Sequence, residues 1–264
     1  MLLTATFSCK KSAVKEAANV ISQDDKDLIA SAGFNKEWAE NTPEGFLIEG
    51  DILLTREQLN DLSGATASNN FVVANEEHYR TFNLVSTPGS GSRTITVSLS
   101  SGFPSYYSTA LNNALARYNS YNLKINFVRV SSNGQINITA ANLGTASNGG
   151  CILGRASGFP QNGNPAPGFV LSNSPCATSY INTTGKADEV IAHEIGHTIG
   201  FRHTDYANRA SCGGPGESAG TIGAVYIPGT PTTVSGSYNS WMMACTNGSP
   251  SFNSADGTAL NYVY

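Results

Sequence analysis

The sequence predicts an α+β fold: a small mixed sheet, one histidine-rich helix and an irregular C-terminal part. Three observations lead there. Residues 94–99, 106–121 and 123–130 read as strand, helix and strand, the parallel crossover unit. Residues 135–141, 151–156 and 169–172 then read as three further short strands. Beyond His203 the chain turns Gly-, Ser- and Thr-rich and loses periodicity, so it is expected to form the second, irregular wall of a cleft.

Each element has its own warrant. In 106–121 the residues Tyr107, Leu111, Ala114, Leu115 and Tyr118 share one helical face. In 135–141 the alternation of Ile136 and Ile138 with polar residues predicts an exposed or edge strand. In 187–199 the residues Ala187, Val190, Ile191, Ile195 and Ile199 recur at spacings of three and four, and Thr183, Thr184 and Asp188 supply polar residues for a helix start. The final stretch, 254–264, begins with a capping residue and reads as a closing helix.

The eleven residues from His193 to His203 carry the chemistry. His193 and His197, four apart, lie one above the other on the helix face opposite Ile191, Ile195 and Ile199, so both imidazoles can reach one metal ion. Gly200 can end the helix in a left-handed conformation, and the chain can then turn to deliver His203 as a third ligand. Three ligands leave a fourth tetrahedral position open, as in a catalytic zinc site. Glu194 projects nearby without binding and is the candidate general base. The motif takes three of the chain's four His; the fourth, His78, is read as a surface residue. Asp205 can brace the turn behind a ligand or lie at the surface.

This extended motif resembles that of the metzincin zinc endopeptidases, which place a Met-containing turn after it. Asn239-Ser240-Trp241-Met242-Met243-Ala244-Cys245 stands at a plausible distance, and Met242 is the residue expected beneath the metal. The wording His-Glu-Ile-Gly-His-Thr-Ile-Gly-Phe-Arg-His-Thr-Asp most resembles the bacterial dual-action HEIGH metallopeptidases and, more distantly, astacins. Two positions depart from astacins. Thr204 replaces their Glu, and Ala244 replaces the Tyr two past the Met, so no Tyr ligand is expected. The resemblance implies a two-subdomain zinc protease over 93–264, one catalytic Zn2+, polypeptide substrates and an edge strand that holds them.

The preceding segment, 10–74, is richer in charge. Residues 13–21 and 25–32 have weak helical patterning, 46–54 alternates like a strand, and 64–70 reads as a linker exposed to cleavage. Leu47-Ile48-Glu49-Gly50-Asp51-Ile52 resembles the astacin propeptide motif, with Ile48 where those carry Phe. That likeness implies a propeptide whose Asp51 occupies the open zinc position, Gly50 allowing close approach; an ordinary turn before a strand is the alternative. Residues 75–92 are then a linker or the start of the mature enzyme. Met1 to Ser8, followed by Cys9-Lys10-Lys11, resembles the end of a truncated export or lipoprotein signal, which makes Cys9 a lipidation candidate and membrane attachment through it possible.

Cysteine usage and charge bound the rest. Cys151, Cys176, Cys212 and Cys245 lie apart from Cys9 and lack the paired spacing of a structural zinc site. Two disulfides in an oxidising compartment, outside the cell or on its surface, fit them. Of three connectivities, Cys151 with Cys176 and Cys212 with Cys245 is favoured, because each closes a local loop around the site. The 15 Lys and Arg against 19 Asp and Glu give no electrostatic case for a nucleic acid partner. A monomer is expected. The rival class, a non-catalytic zinc-containing surface binder, leaves Glu194 without a purpose.

Overall fold

The computed structural model describes residues 20–64, 78–146, 149–213, 216–233, 235, 238–246, 248 and 251–264. Cys9 and the 1–9 signal, the start of the 13–21 helix and almost all of the 64–70 linker lie outside the described residues. No helix among the described residues is long and apolar enough to cross a membrane.

The chain begins with α1 (Gln23–Ser31), held at its start by Ser22 accepting from the Asp25 amide, and a 3₁₀ turn at Lys36–Trp38. β1 (Glu40–Thr42), β2 (Gly45–Ile48) and β3 (Ile52–Leu54) form an antiparallel meander, followed by α2 (Arg56–Gly64). The alternation over 46–54 is therefore two strands and a hairpin turn rather than one strand. Both faces of a tight hairpin keep the same period of two, so alternation alone cannot reveal the reversal between Ile48 and Ile52.

Beyond β4 (Tyr79–Arg80), β5 (Arg93–Leu99), α3 (Ser105–Asn119) and β6 (Ile125–Val130) make the expected parallel crossover, with Ile95 opposite Phe127. β7 (Ile136–Ala141), β8 (Gly154–Ala156) and β9 (Gly168–Ser172) complete an eight-stranded sheet in the order β1-β2-β3-β8-β9-β7-β5-β6. β7 is thus not an edge strand: it pairs in parallel with β5 on one side and β9 on the other. Its polar residues mark a solvated face, and a face is a different thing from an unpaired edge. β8 runs antiparallel to β9 and takes β3 in parallel on its other side. Residues 40–54 are therefore docked on the strand that otherwise would be outermost.

α4 (Pro175–Tyr180) leads into α5 (Thr184–Thr198), the histidine helix, whose N-cap Thr183 accepts from the Lys186 amide. β10 (Val225–Tyr226) pairs with β4, and α6 (Ser254–Val263) closes the chain. The cap of α6 is Asn253, one residue earlier than expected, in a reciprocal capping box with Asp256.

Two apolar clusters hold these elements. The larger joins Ile95 and Phe127 of the sheet, Leu111 and Tyr118 of α3, Ile191 and Ile195 of α5 and Leu260 of α6. Burying such side chains contributes about 1.5–3 kcal/mol each. Tyr118 fastens α3 to α5 by donating to the Ala192 carbonyl at 2.7 Å. The smaller cluster consists of residues between Ile21 and Leu62, joined, among the described residues, by Phe159 and Ile222 from the rest of the chain. Cys151 is bridged to Cys176 and Cys212 to Cys245.

Candidate metal centre

The end of α5 builds the site. Gly200 has φ +107°; its amide bonds back to the His197 carbonyl at 3.0 Å and that of Phe201 to the Gly196 carbonyl at 2.9 Å. This is a Schellman stop, which requires the left-handed residue that glycine supplies. The chain leaves the helix there and carries His203 back across His193 and His197.

All three imidazoles are oriented from behind. His193 Nδ1 donates to the Trp241 carbonyl at 2.8 Å and His197 Nδ1 to the Phe201 carbonyl at 2.9 Å. His203 Nδ1 meets Glu217 Oε1 at 2.5 Å. With each Nδ1 engaged, each Nε2 presents its lone pair inward, the tautomer a metal ligand needs. His193 Nε2 and His197 Nε2 stand 3.1 Å apart. Asp51 Oδ2 completes the group at 2.7 Å from His203 Nε2, 3.3 Å from His193 Nε2 and 3.4 Å from His197 Nε2. Donors about 2.0–2.2 Å from a tetrahedral zinc lie roughly 3.3 Å from one another, so this set fits the ion.

Asp51 reaches the site from the tip of the β2–β3 hairpin, where Glu49 (φ 56°) and Gly50 (φ 91°) both adopt left-handed backbone. A Cβ on Gly50 would meet only Arg209 Nη2 at 3.8 Å. Glycine is thus needed there for the turn's conformation, not for close approach. Just past the tip, the Ala156 amide donates to the Asp51 carbonyl at 2.7 Å and ties it to β8.

Glu194 is 2% exposed, and its Oε2 has no hydrogen-bond partner among the described residues. Burial, and then the Asp51 charge, push its carboxyl well above the ordinary range. A Cβ on Gly154 of β8 would fall 2.1 Å from Glu194 Oε1, so a side chain there would expel the acid. Met242 is 1% exposed, and its Sδ lies where a Cβ on Gly196 would come within 2.3 Å. The Met thus packs against the bare backbone of the histidine helix, with its carbonyl accepting from the Thr204 amide at 2.6 Å.

One sequence expectation needs correction, and one open alternative is decided. His78 is 2% exposed rather than at the surface: Asp256, fixed in the α6 cap, draws its Nε2 inward to 2.8 Å. Asp205 is also buried, and accepts from the Ala244 amide at 2.9 Å and from the Ser211 hydroxyl at 2.6 Å, so it braces the turn.

Sequence reasoning missed the charged network behind His203. Arg202, 1% exposed, pairs with Glu49 of the hairpin and with Glu217 at 3.4 Å, and Arg209 reaches Glu217 at 3.0 Å. Burial alone would raise Glu217, but His203, Arg209 and Arg202 outweigh it and hold the carboxyl at about 2. Glu217 lies in a stretch without periodicity, and nothing local marks it as the partner of His203.

A sequence profile of the family described as "Dual-action HEIGH metallo-peptidase" matches residues 46–264. No curated protein matches the chain. Similar solved structures include two of myroilysin. One is 19% identical, with TM-score 0.30, over 44% of this chain and 45% of that one; the other is 17% identical, with TM-score 0.35, over 65% and 83%. A further one is the zinc-protease hatching enzyme HCE-1 of the medaka Oryzias latipes, 19% identical, with TM-score 0.29, over 48% and 51%. The chain thus spans about half the length of the first two structures it matches. With the profile running from the hairpin that carries Asp51, through the three histidines, to Tyr264, the chain belongs to the dual-action HEIGH metallo-peptidases.

Proposed function

We propose that the protein is a zinc-dependent endopeptidase made as an inactive precursor, with His193, His197 and His203 as the metal ligands, Glu194 as the general base and Asp51 as the plug. The observation that carries this reading is the convergence of three Nε2 atoms, each with its Nδ1 engaged, on a point that Asp51 Oδ2 also faces.

Zinc bound there would lower the pKa of water to about 7 and polarise a scissile carbonyl. Glu194 takes the proton of the attacking water and hands it to the leaving amine. Met242 and Gly196 set the floor, while Glu217 keeps His203 in the ligating tautomer. Asp51 supplies an oxygen where the substrate's attacking water belongs, so the intact chain is silent until cut between Gly64 and His78. The two disulfides fit an exported protein, and lipid on Cys9 is the proposed anchor.

Casein hydrolysis by the zinc-loaded chain, before and after a cut in that stretch and with and without a chelator, tests the reading. Hydrolysis only after the cut, abolished by the chelator, is expected. A nicked, zinc-loaded chain that cleaves nothing overturns it.

A further inference from the structure

We propose that Glu189 makes the cleft selective for peptides with a Lys or Arg side chain beside the scissile bond; this rests on the endopeptidase reading.

Glu189 stands four residues before His193 and eight before His197 on α5. It therefore projects from the same stripe of the helix as the two ligands, about one 5.4 Å turn from His193. Next to it lies a cavity of about 230 Å³, whose walls include Cys151, Ile152, Val190, His193 and Thr246. His193 and Glu194 both line the cavity, so a substrate side chain flanking the reacting carbonyl has room to enter it.

Glu189 gives the wall of that cavity an anionic group. Glu189 is 7% exposed. Its Oε2 accepts from the Tyr180 hydroxyl at 3.2 Å; its Oε1 accepts from the Gly248 amide at 3.0 Å and from the Thr246 hydroxyl. All three donors are neutral. They hold the carboxylate in place without cancelling its charge. Among the described residues no ion pair reaches it: neighbouring Asp188 takes Arg117, and Lys186 sits over the Tyr180 ring, 4.5 Å from its centroid. A carboxylate has about four acceptor sites, so one remains for an incoming donor.

The remaining charges in the cavity wall reinforce this. Arg209, the basic residue there, already holds Glu217 at 3.0 Å and the Glu49 carbonyl at 2.8 Å. Glu40, Glu49 and Asp51 belong to the hairpin segment and leave with it, whereas Glu189 stays with the catalytic elements. A buried carboxylate lacking a cation is costly, and a substrate ammonium or guanidinium would offset that cost.

The test uses the zinc-loaded full chain, nicked between Gly64 and His78, on matched peptides carrying Lys, Arg, norleucine or Glu on either side of the scissile bond. We expect kcat/KM at least tenfold higher for Lys or Arg than for norleucine, and lowest for Glu. In Glu189→Gln the ratio of Lys to norleucine should fall toward one with zinc content unchanged. Equal cleavage of all four peptides by the parent, or an unchanged ratio in the variant, overturns the assignment of Glu189 and leaves the endopeptidase reading standing. Should the variant fail to fold, the parent's own ratio decides. A nicked parent that cleaves none of the four overturns both.

Discussion

Asp51 Oδ2 lies 2.7 Å from His203 Nε2, across 152 residues of sequence. A hairpin tip and a post-helical turn have therefore been brought together at one point, and the plug can be tested by removing it. Asp51→Ala should give an intact chain with measurable casein hydrolysis, where the parent shows none. An uncut variant as silent as the parent would show that the hairpin blocks the cleft by other means, or not at all.

Glu194→Gln in the nicked chain should lower kcat by about 10²–10⁴-fold, the usual worth of a positioned acid–base group. Zinc content should stay near one per chain, because the ligand set needs no carboxylate from this residue. Parent-like turnover in the variant would remove Glu194 from the mechanism.

Glu217→Gln keeps an acceptor near His203 but loses the charge that pairs with Arg202 and Arg209. Zinc affinity, measured by competition with a chromogenic chelator, should weaken about 10–100-fold. Undiminished affinity would make Glu217 a purely structural partner of the two arginines.

Gly196→Ala would place a Cβ 2.3 Å from Met242 Sδ and 3.0 Å from Trp241 Nε1. Overpacking of this kind costs about 1–3 kcal/mol, which thermal unfolding would register as a lowered Tm. An unchanged Tm would mean that Met242 is free to move aside.

Asp188 offers a pH signature. Burial lifts its carboxyl to about 6, against the pull of Arg117. The folded state thus binds this proton more tightly than the unfolded chain, whose ordinary value is 3.8. Its contribution to stability is present below about pH 4 and is lost as pH rises toward 6. Denaturation midpoints of Asp188→Asn and the parent, compared between pH 4 and 6.5, should diverge with a steeper fall in the parent; parallel curves would contradict the shift.

The site was legible where its parts are close in sequence, and illegible where they are not. His193, His197, Gly200 and His203 declare themselves through helical spacing and a stop residue, and the fold delivers them together. Glu217 and the Glu49–Arg202 pair come from segments without periodicity, so only the folded chain reveals them. His78 was misread because its burial is decided by Asp256, 178 residues away. Gly154 was missed because a need for empty space leaves no pattern in a strand. The parallel crossover and the α3 face were readable because their periodicity reports burial directly.

The smaller apolar cluster has a consequence for how the protein would be switched on. Nearly all of its members lie between Ile21 and Leu62, so a cut beyond Gly64 severs the tether without dismantling the piece that carries Asp51. Before the cut, that piece would compete with substrate at the millimolar effective concentration typical of a short linker. Afterwards it would compete only at the protein's own concentration. Scission and dilution would then act as two separate inputs: nicked molecules would stay quiet where they are concentrated, and dilution would turn them on.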